Sequence, residues 1–262
     1  MSKNDNIQAM PVKHFLDDPV DLTIVIPCLN EAENIVGILD SVRDVVQGQP
    51  FTTEIVVVDD KSDDNTYDLA MQWGEENKDV LLIRVIRRSL HRRGYGAAVR
   101  YGTAHGHGRY CIFVSADAVD PIQLIPQLYE EMEKGATLAQ CSRYLIPGHD
   151  KTIPFKYKFF QFFFRRGVRI VLGQQIPDST YAFKMFRRRE TLGVGLSQNR
   201  FSISPEITFK SILVGGNIKY IPGAQGVRVY GVSKFIFHKE GIGYGYCLLR
   251  TFLHRFNLVY WF

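Results

Sequence analysis

Three short polar clusters each stand directly after a β-branched run. Asp59-Asp60-Lys61-Ser62 follows Glu54-Ile-Val-Val-Val. Two acids at the end of a strand, followed by a polar turn, can present a carboxylate to a nucleobase or a ribose; the same residues serve equally as a turn and helix cap. Ser115-Ala-Asp117-Ala-Val-Asp120-Pro121 follows Tyr110 to Val114. Closely spaced carboxylates in that position supply oxygen ligands for a hard divalent cation, which would neutralise charge on a diphosphate. The plain alternative is a surface loop with Asp120 as cap and Pro121 in the first helical turn. Pro27-Cys-Leu-Asn30-Glu31 closes the first run, with Asn30 either a ligand residue or a helix cap. A fourth segment, Arg92-Arg93-Gly94-Tyr95-Gly96, carries two glycines behind basic residues at the start of a helical pattern. Such a start lets backbone N–H groups approach a phosphate, and it is also an ordinary glycine-rich helix start.

The elements that must position these residues alternate. Leu22 to Pro27 reads as a strand. From Asn30 onward, Ile35, Ile38, Leu39, Val42, Val45 and Val46 fall at helical spacing. Glu54 to Asp59 reads as a strand apolar on both faces, as a central parallel strand should be. Helices are expected over about 66–73, 96–104 and 122–134, with strands over 80–86, 110–114 and 138–142. Strands alternating with helices predict a parallel sheet flanked by helices, with ligands beyond the carboxyl ends of the strands. Further along, 155–172 and 204–213 read as helices and 181–186, 218–221 and 227–229 as strands. Residues 1–20 read as a loose arm, and 236–262 as an amphipathic extension mixing aromatic, apolar and basic residues.

The chain has 262 residues, enough for one large domain or two small ones. It is 45% apolar and 23% charged, as a protein with a sizeable core should be. The net charge of +5 is too small an excess to imply nucleic acid, and no nucleic-acid partner is expected. The four cysteines form no CxxC pair, which argues against a zinc site and fits buried thiols in a reducing cytosol. No apolar stretch follows a basic start near the N-terminus, so no signal peptide is expected. No run reaches the roughly 18 uncharged apolar residues of a spanning helix. The expectation is a soluble or peripheral protein, cytoplasmic or at the cytoplasmic face of a membrane. The segment Lys156 to Arg169 combines five basic residues with Phe159, Phe160, Phe162, Phe163 and Phe164. It reads either as a lipid-facing helix or as a core helix with a solvated basic edge.

The order of these pieces carries a resemblance. Pro-x-x-Asn-Glu after the first strand, Val-Val-Asp-Asp-x-Ser after the second, a basic Gly-x-Gly and then an acid motif after the fourth resemble family-2 glycosyltransferases. Ser142-Arg143-Tyr144, Asp178-Ser-Thr-Tyr-Ala-Phe183-Lys184 and Arg228-Val-Tyr-Gly231-Val-Ser233-Lys234 look like the dolichol-phosphate mannose synthase and polyprenyl-phosphate branch of that family. The resemblance spans about residues 21–234. It implies a GT-A-type, Rossmann-like α/β domain over 21–235 with a mostly parallel central sheet flanked by helices. It also implies inverting sugar transfer from a nucleotide-diphosphate sugar to a lipid phosphate at a membrane surface, assisted by a divalent metal (Mg or Mn).

Residue roles follow from the resemblance. Pro27, Asn30 and Glu31 would line the nucleotide site; Asp60, or its neighbour Asp59, would contact the base; Gly94 and Gly96 would edge the donor pocket. Asp117 would bind metal and diphosphate, with Asp120 as a second candidate ligand. Arg143 would bind the acceptor phosphate, and Arg228, Ser233 and Lys234 would close over the site. The chain departs from the family pattern at two places: Ser115 stands where the family has the first acid of Asp-x-Asp, and Leu29 replaces an aromatic residue. Either change is compatible with an altered donor, weaker metal dependence or lost activity. A lipid phosphate is already ionised and needs no general base. A saccharide or protein hydroxyl would need one, and Asp178 is the candidate. A non-catalytic nucleotide-sugar-binding protein is the third reading, favoured by Ser115.

Overall fold

The structure, a computed structural model, describes residues 20–89, 93–148, 155–226 and 237–262, with the backbone alone at 155–158 and 237–239. The expected arm, the strand expected over 227–229, and Arg92, Arg228, Ser233 and Lys234 lie outside the described residues. The chain divides into two compact units, one running to Pro126 and rejoined at Gly226, the other covering Gln127–Gln225 and the C-terminal helix.

The first unit contains β1 (Leu22–Cys28), α1 (Ile35–Val46), β2 (Thr53–Asp59), α2 (Thr66–Glu76), β3 (Leu82–Arg87), α3 (Tyr95–His105) and β4 (Tyr110–Phe113). Its strands lie in the order β3-β2-β1-β4, and every pairing among them is parallel. The β-branched runs of β1 and β2 are buried nearly throughout, which is why they read as continuous apolar segments. Helix α1 buries Ile35, Ile38, Leu39, Val42 and Val46, the face its spacing marks out. Helix α3 lies against β1 and β2 at Gly102, where a Cβ would collide with the Val25 and Val58 side chains. Only a glycine allows that approach. The register Cys28↔Asp59, with the Val114 N–H donating to the Val25 carbonyl, brings the carboxyl ends of β1, β2 and β4 to one edge. The order reverses between β1 and β4, the kind of switch point at which open parallel sheets bind ligands.

A 3₁₀ turn at Ile122–Leu124 leads into α4 (Ile125–Glu133), with Pro126 in the first turn, where no intrahelical N–H is required. The second unit then carries β5 (Leu138–Ser142), α5 (Phe155–Leu172), β6 (Lys184–Arg187), α6 (Arg188–Gly193), α7 (Ile203–Leu213), β7 (Ile218–Pro222) and α8 (Phe237–Arg255). Strand β5 pairs in parallel with β7 and antiparallel with β6, so the sheet is mostly parallel, as expected, with β6 the strand whose opposite sense the sequence did not mark. Alternation of side chains marks a strand but not its sense. Strand β6 begins three residues later than expected. Residues 178–181 instead form a loop around the Asp178 carboxylate, so Tyr181, expected at the start of the strand, belongs to that loop. Helices α5, α7 and α8 share a core of Phe164, Val168, Leu172, Phe209, Tyr244 and Cys247, closed by Trp261.

Candidate active site

In the first unit the polar clusters knit to one another at the carboxyl edge. Asn30 and Lys61 adopt left-handed backbone (φ 52° and 63°), so the loops after β1 and β2 turn sharply. The Asn30 N–H donates to Ser62 Oγ at 2.9 Å, and the Asp63 N–H donates back to Asn30 Oδ1 at 2.8 Å. The Glu31 N–H donates to Thr66 Oγ1, and the Ala32 N–H to the Asp64 carboxylate. Glu31 accepts from the Asn34 amide at 2.9 Å. Asn30 is therefore a cross-brace between two loops, not a cap of α1.

The two acids that end β2 and begin the next turn are buried and paired. Asp59 accepts from Arg87 Nε at 2.9 Å and from the Ser62 N–H. Asp60 accepts from Arg88 at 2.9 and 2.6 Å, and its second oxygen accepts the Gly94 N–H at 2.7 Å. Through Asp60, the turn after β2 fixes the start of α3, where Gly94 has φ 151°. Gly96 is buried in the first turn of that helix. Pro27 lies near the end of β1, paired in register with Val58.

After β4, Ser115 to Asp120 forms a tight loop with Ala118 left-handed (φ 57°). Asp120 Oδ2 accepts the Ser115 N–H at 2.7 Å, so Asp120 braces the loop. Asp117 is nearly buried, with its carboxylate directed to the Val119 N–H at 3.5 Å. Among the described residues no group of three or more His, Cys, Asp or Glu is arranged as a metal cage.

The second unit holds a different arrangement. Asp178 is fully buried and accepts from Arg143 Nε at 2.7 Å and Arg143 Nη2 at 3.1 Å. It also accepts the Thr180 hydroxyl and the Thr180 and Tyr181 N–H groups. Burial alone would raise its pKa, but the Arg143 charge and these donors hold it below the usual carboxylate range. Arg143 stacks over the Tyr181 ring at 4.9 Å, and Arg165 of α5 over Tyr144 at 4.4 Å. Asp178, expected as a base for a hydroxyl acceptor, is thus an ion-paired carboxylate of low basicity, and its partner is Arg143 itself.

Residues 23–192 match the model of glycosyl transferase family 2. The chain belongs to that family. Among its relatives, a dolichol-phosphate mannosyltransferase of Pyrococcus furiosus is 30% identical over 215 residues, covering 81% of this chain and 58% of the relative. A dolichyl-phosphate beta-glucosyltransferase of Trichomonas vaginalis is 26% identical, covering 79% of this chain and 66% of the relative. A bactoprenol glucosyl transferase of Shigella phage SfV is 26% identical, covering 82% and 66%. The chain thus spans less than two thirds of these relatives' lengths. The fold is similar to that of Mycobacterium tuberculosis glucosyl-3-phosphoglycerate synthase, solved with Mn2+, UDP-glucose and phosphoglyceric acid. There the TM-score is 0.64 at 19% identity, covering 92% of this chain and 81% of that one. This is the GT-A type of α/β fold.

In this family-2 glycosyltransferase, Asn30, Glu31, Asp59, Asp60 and Gly94 gather at one edge of one unit, and Arg143 and Asp178 pair in the other. Sequence reading missed Arg87 and Arg88, which engage the two acids. Their signal was present: a basic dipeptide at the end of β3, the strand beside β2. It also missed Gln140, Ser204 and Thr208, buried beside the Asp178 loop with Lys184 of the quoted motif; they come from two separate elements and carry no local signature.

Proposed function

We propose that this glycosyltransferase moves a sugar, with inversion at the anomeric carbon, from a nucleotide-diphosphate sugar to a polyprenyl or dolichyl phosphate held at a membrane surface. The observation that carries the reading is the double face of α5. One side, Phe164, Val168 and Leu172, is core. The other exposes Phe159, Phe162, Phe163 and Ile170 beside the exposed Arg166 and Arg169. Helix α8 likewise exposes Ile242, Tyr246, Leu249 and Phe252, with the exposed Phe256 directly after it. Apolar stripes of this extent, rimmed by guanidinium groups, suit a layer of acyl chains under anionic headgroups. No described helix is long and apolar enough to cross a membrane. The buried, disulfide-free thiols fit a reducing compartment, hence the cytoplasmic face.

Asn30, Glu31, Asp59 and the Asp60-braced glycine turn frame the nucleotide. Asp117 would hold a divalent cation, Mg or Mn, which would supply charge neutralisation for the diphosphate leaving group. A carboxylate with the Ser115 hydroxyl two residues away suits such an ion, which keeps waters and takes phosphate oxygens in place of further protein ligands. Arg143 receives the acceptor phosphate. Its orientation is fixed in advance by Asp178 and Tyr181, so alignment is in place before the substrate arrives. The phosphate is ionised and attacks without a base, which agrees with a carboxylate at Asp178 too weakly basic to deprotonate a hydroxyl.

The test incubates the protein with Mn2+ and either UDP-glucose or GDP-mannose, offering undecaprenyl phosphate or undecaprenol in detergent. Transfer to the phosphate alone is expected. Transfer to undecaprenol overturns the phosphate acceptor, and donor binding without turnover supports the non-catalytic reading. Sedimentation with anionic vesicles, compared between the parent and Phe162→Ser/Phe163→Ser, tests the lipid surface. Each Phe side chain fully withdrawn from water contributes about 1.5–3 kcal/mol, so vesicle binding should fall more than about ten-fold.

A further inference from the structure

Lys184 has a role beyond filling the core. It is the first residue of β6 and is fully buried. An ammonium without water must satisfy three donors or lose several kcal/mol. Its Nζ donates to Thr208 Oγ1 at 2.8 Å, to the Ser204 carbonyl at 3.0 Å and to the Ser179 carbonyl at 3.3 Å. Ser204 and Thr208 stand one turn apart on α7. Ser179 lies between Asp178 and Thr180, inside the loop that grips Arg143.

The same loop is held at two neighbouring carbonyls. The Gln140 amide of β5 donates to the Asp178 carbonyl, and the Thr208 hydroxyl donates on to Gln140 Oε1 at 3.1 Å. The Ser204 hydroxyl donates to the Tyr181 carbonyl at 2.8 Å. The carbonyls of Asp178, Ser179 and Tyr181 thus each accept from a buried side chain, while the loop's own N–H groups turn inward onto the Asp178 carboxylate. Both supports of the Arg143 guanidinium, the Asp178 carboxylate and the Tyr181 ring, ride on this loop. An apolar side chain at 184 would fill the space without the cost of burying a charge, so the charge is explained by what it orients. Burial pushes the Lys184 ammonium pKa down to about 7, and the facing Asp178 carboxylate opposes that shift, with the Arg143 charge adding to it.

We propose that Lys184 is a positioning residue: it ties the 178–181 loop to α7 and so fixes the orientation in which Asp178 and Tyr181 present Arg143. The proposal rests on the reading of Arg143 as the ligand of the acceptor phosphate. It places Lys184 outside any contact with substrate.

Lys184→Met keeps the length and removes the charge and the donors. Amide hydrogen exchange is followed first, because it needs no substrate. Exchange at Ser179, Thr180 and Tyr181 should quicken by about ten-fold or more, with the amides of β1 and β2 unchanged. With undecaprenyl phosphate and the donor that supports turnover, KM for the acceptor should rise about ten-fold while KM for the nucleotide sugar stays within about two-fold. A role confined to stability would lower the fraction of active protein and leave both KM values alone. Thr208→Val, which removes one of the three partners, should show the same pattern more weakly and serves if Lys184→Met does not fold. Exchange that is unchanged, or that quickens equally throughout, overturns the proposal, as do parallel changes in both KM values. If the parent transfers nothing to a lipid phosphate, the acceptor reading falls, and the exchange pattern still decides whether Lys184 holds the loop.

Discussion

The two polar clusters of this chain are built in opposite ways. The one at the strand ends of the first unit surrounds the buried pairs of Asp59 and Asp60 with loop-to-loop single hydrogen bonds, several of them at exposed positions such as Asn30 and Asp63. The one in the second unit concentrates five hydrogen bonds on a single carboxylate that has no contact with water. At a solvated rim a lost bond is largely replaced by water. In the interior nothing replaces it, and the partners fail together. The first arrangement can reshape itself around a ligand, whereas the second can only be right or broken.

The sharpest test of that contrast is stability. Asp178→Ala leaves the Arg143 guanidinium unpaired and should cost about 3 kcal/mol, near the low end for breaking a buried pair because Arg143 keeps some contact with water. Asn30→Ala should cost about 1 kcal/mol or less. Equal losses in urea denaturation would erase the distinction. The acid of that pair also sets a pH dependence. The Asp178 pKa is lowered on folding, so its contribution is present above the ordinary carboxylate pKa of about 4 and is lost as pH falls through its folded value.

The second comparison concerns ligands. Asp117→Ala should weaken Mn2+-dependent binding of UDP-glucose or GDP-mannose by more than about ten-fold, with the melting temperature unchanged. Asp178→Ala should do the reverse, lowering the melting temperature and sparing donor affinity. Calorimetric titration alongside thermal denaturation checks both. Donor binding that survives at Asp117→Ala would move the cation elsewhere.

The smallest effect distinguishes the buried cluster by its response to alkali. Burial lowers the Lys184 pKa to about 7, so between about 7 and the ordinary lysine value of about 10.4 the unfolded chain binds more protons than the folded one. Stability should therefore rise with pH, by about 1.6 kcal/mol from pH 7 to 8.5. Above that range, Cys247 and Tyr244 act in the opposite sense, because burial raises both and their contribution is lost as pH rises. Urea denaturation at several pH values should show the rise in the parent and its absence in Lys184→Met.

Much of the first unit was legible before any coordinates. The β-branched runs at Leu22 and Glu54 and the spacing of Ile35, Ile38, Leu39 and Val42 mark strand, strand and helix, because each buries a face repeated over adjacent residues. The parallel order placed Asn30, Glu31, Asp59, Asp60, Asp117 and Asp120 at the strands' carboxyl ends. Helix α5 was also read with its observed limits, Phe155–Leu172. Which of its phenylalanines lie in the core was not, since apolar residues occur on nearly every face and the pattern carries no direction. Helix α8 went unrecognised as a helix, its three glycines and aromatic residues blurring the period.

By itself, then, the sequence determined the alternation of elements, the edge where the acids gather and the family to which they belong. All of these rest on residues close together in the chain. Only the tertiary structure decided that β6 runs against β5, that Asp60 braces Gly94 across 34 residues, and that Arg143 meets Asp178 across 35. Those outcomes depend on which distant groups can share a buried space and satisfy one another's donors and charges, and no local spacing records that choice.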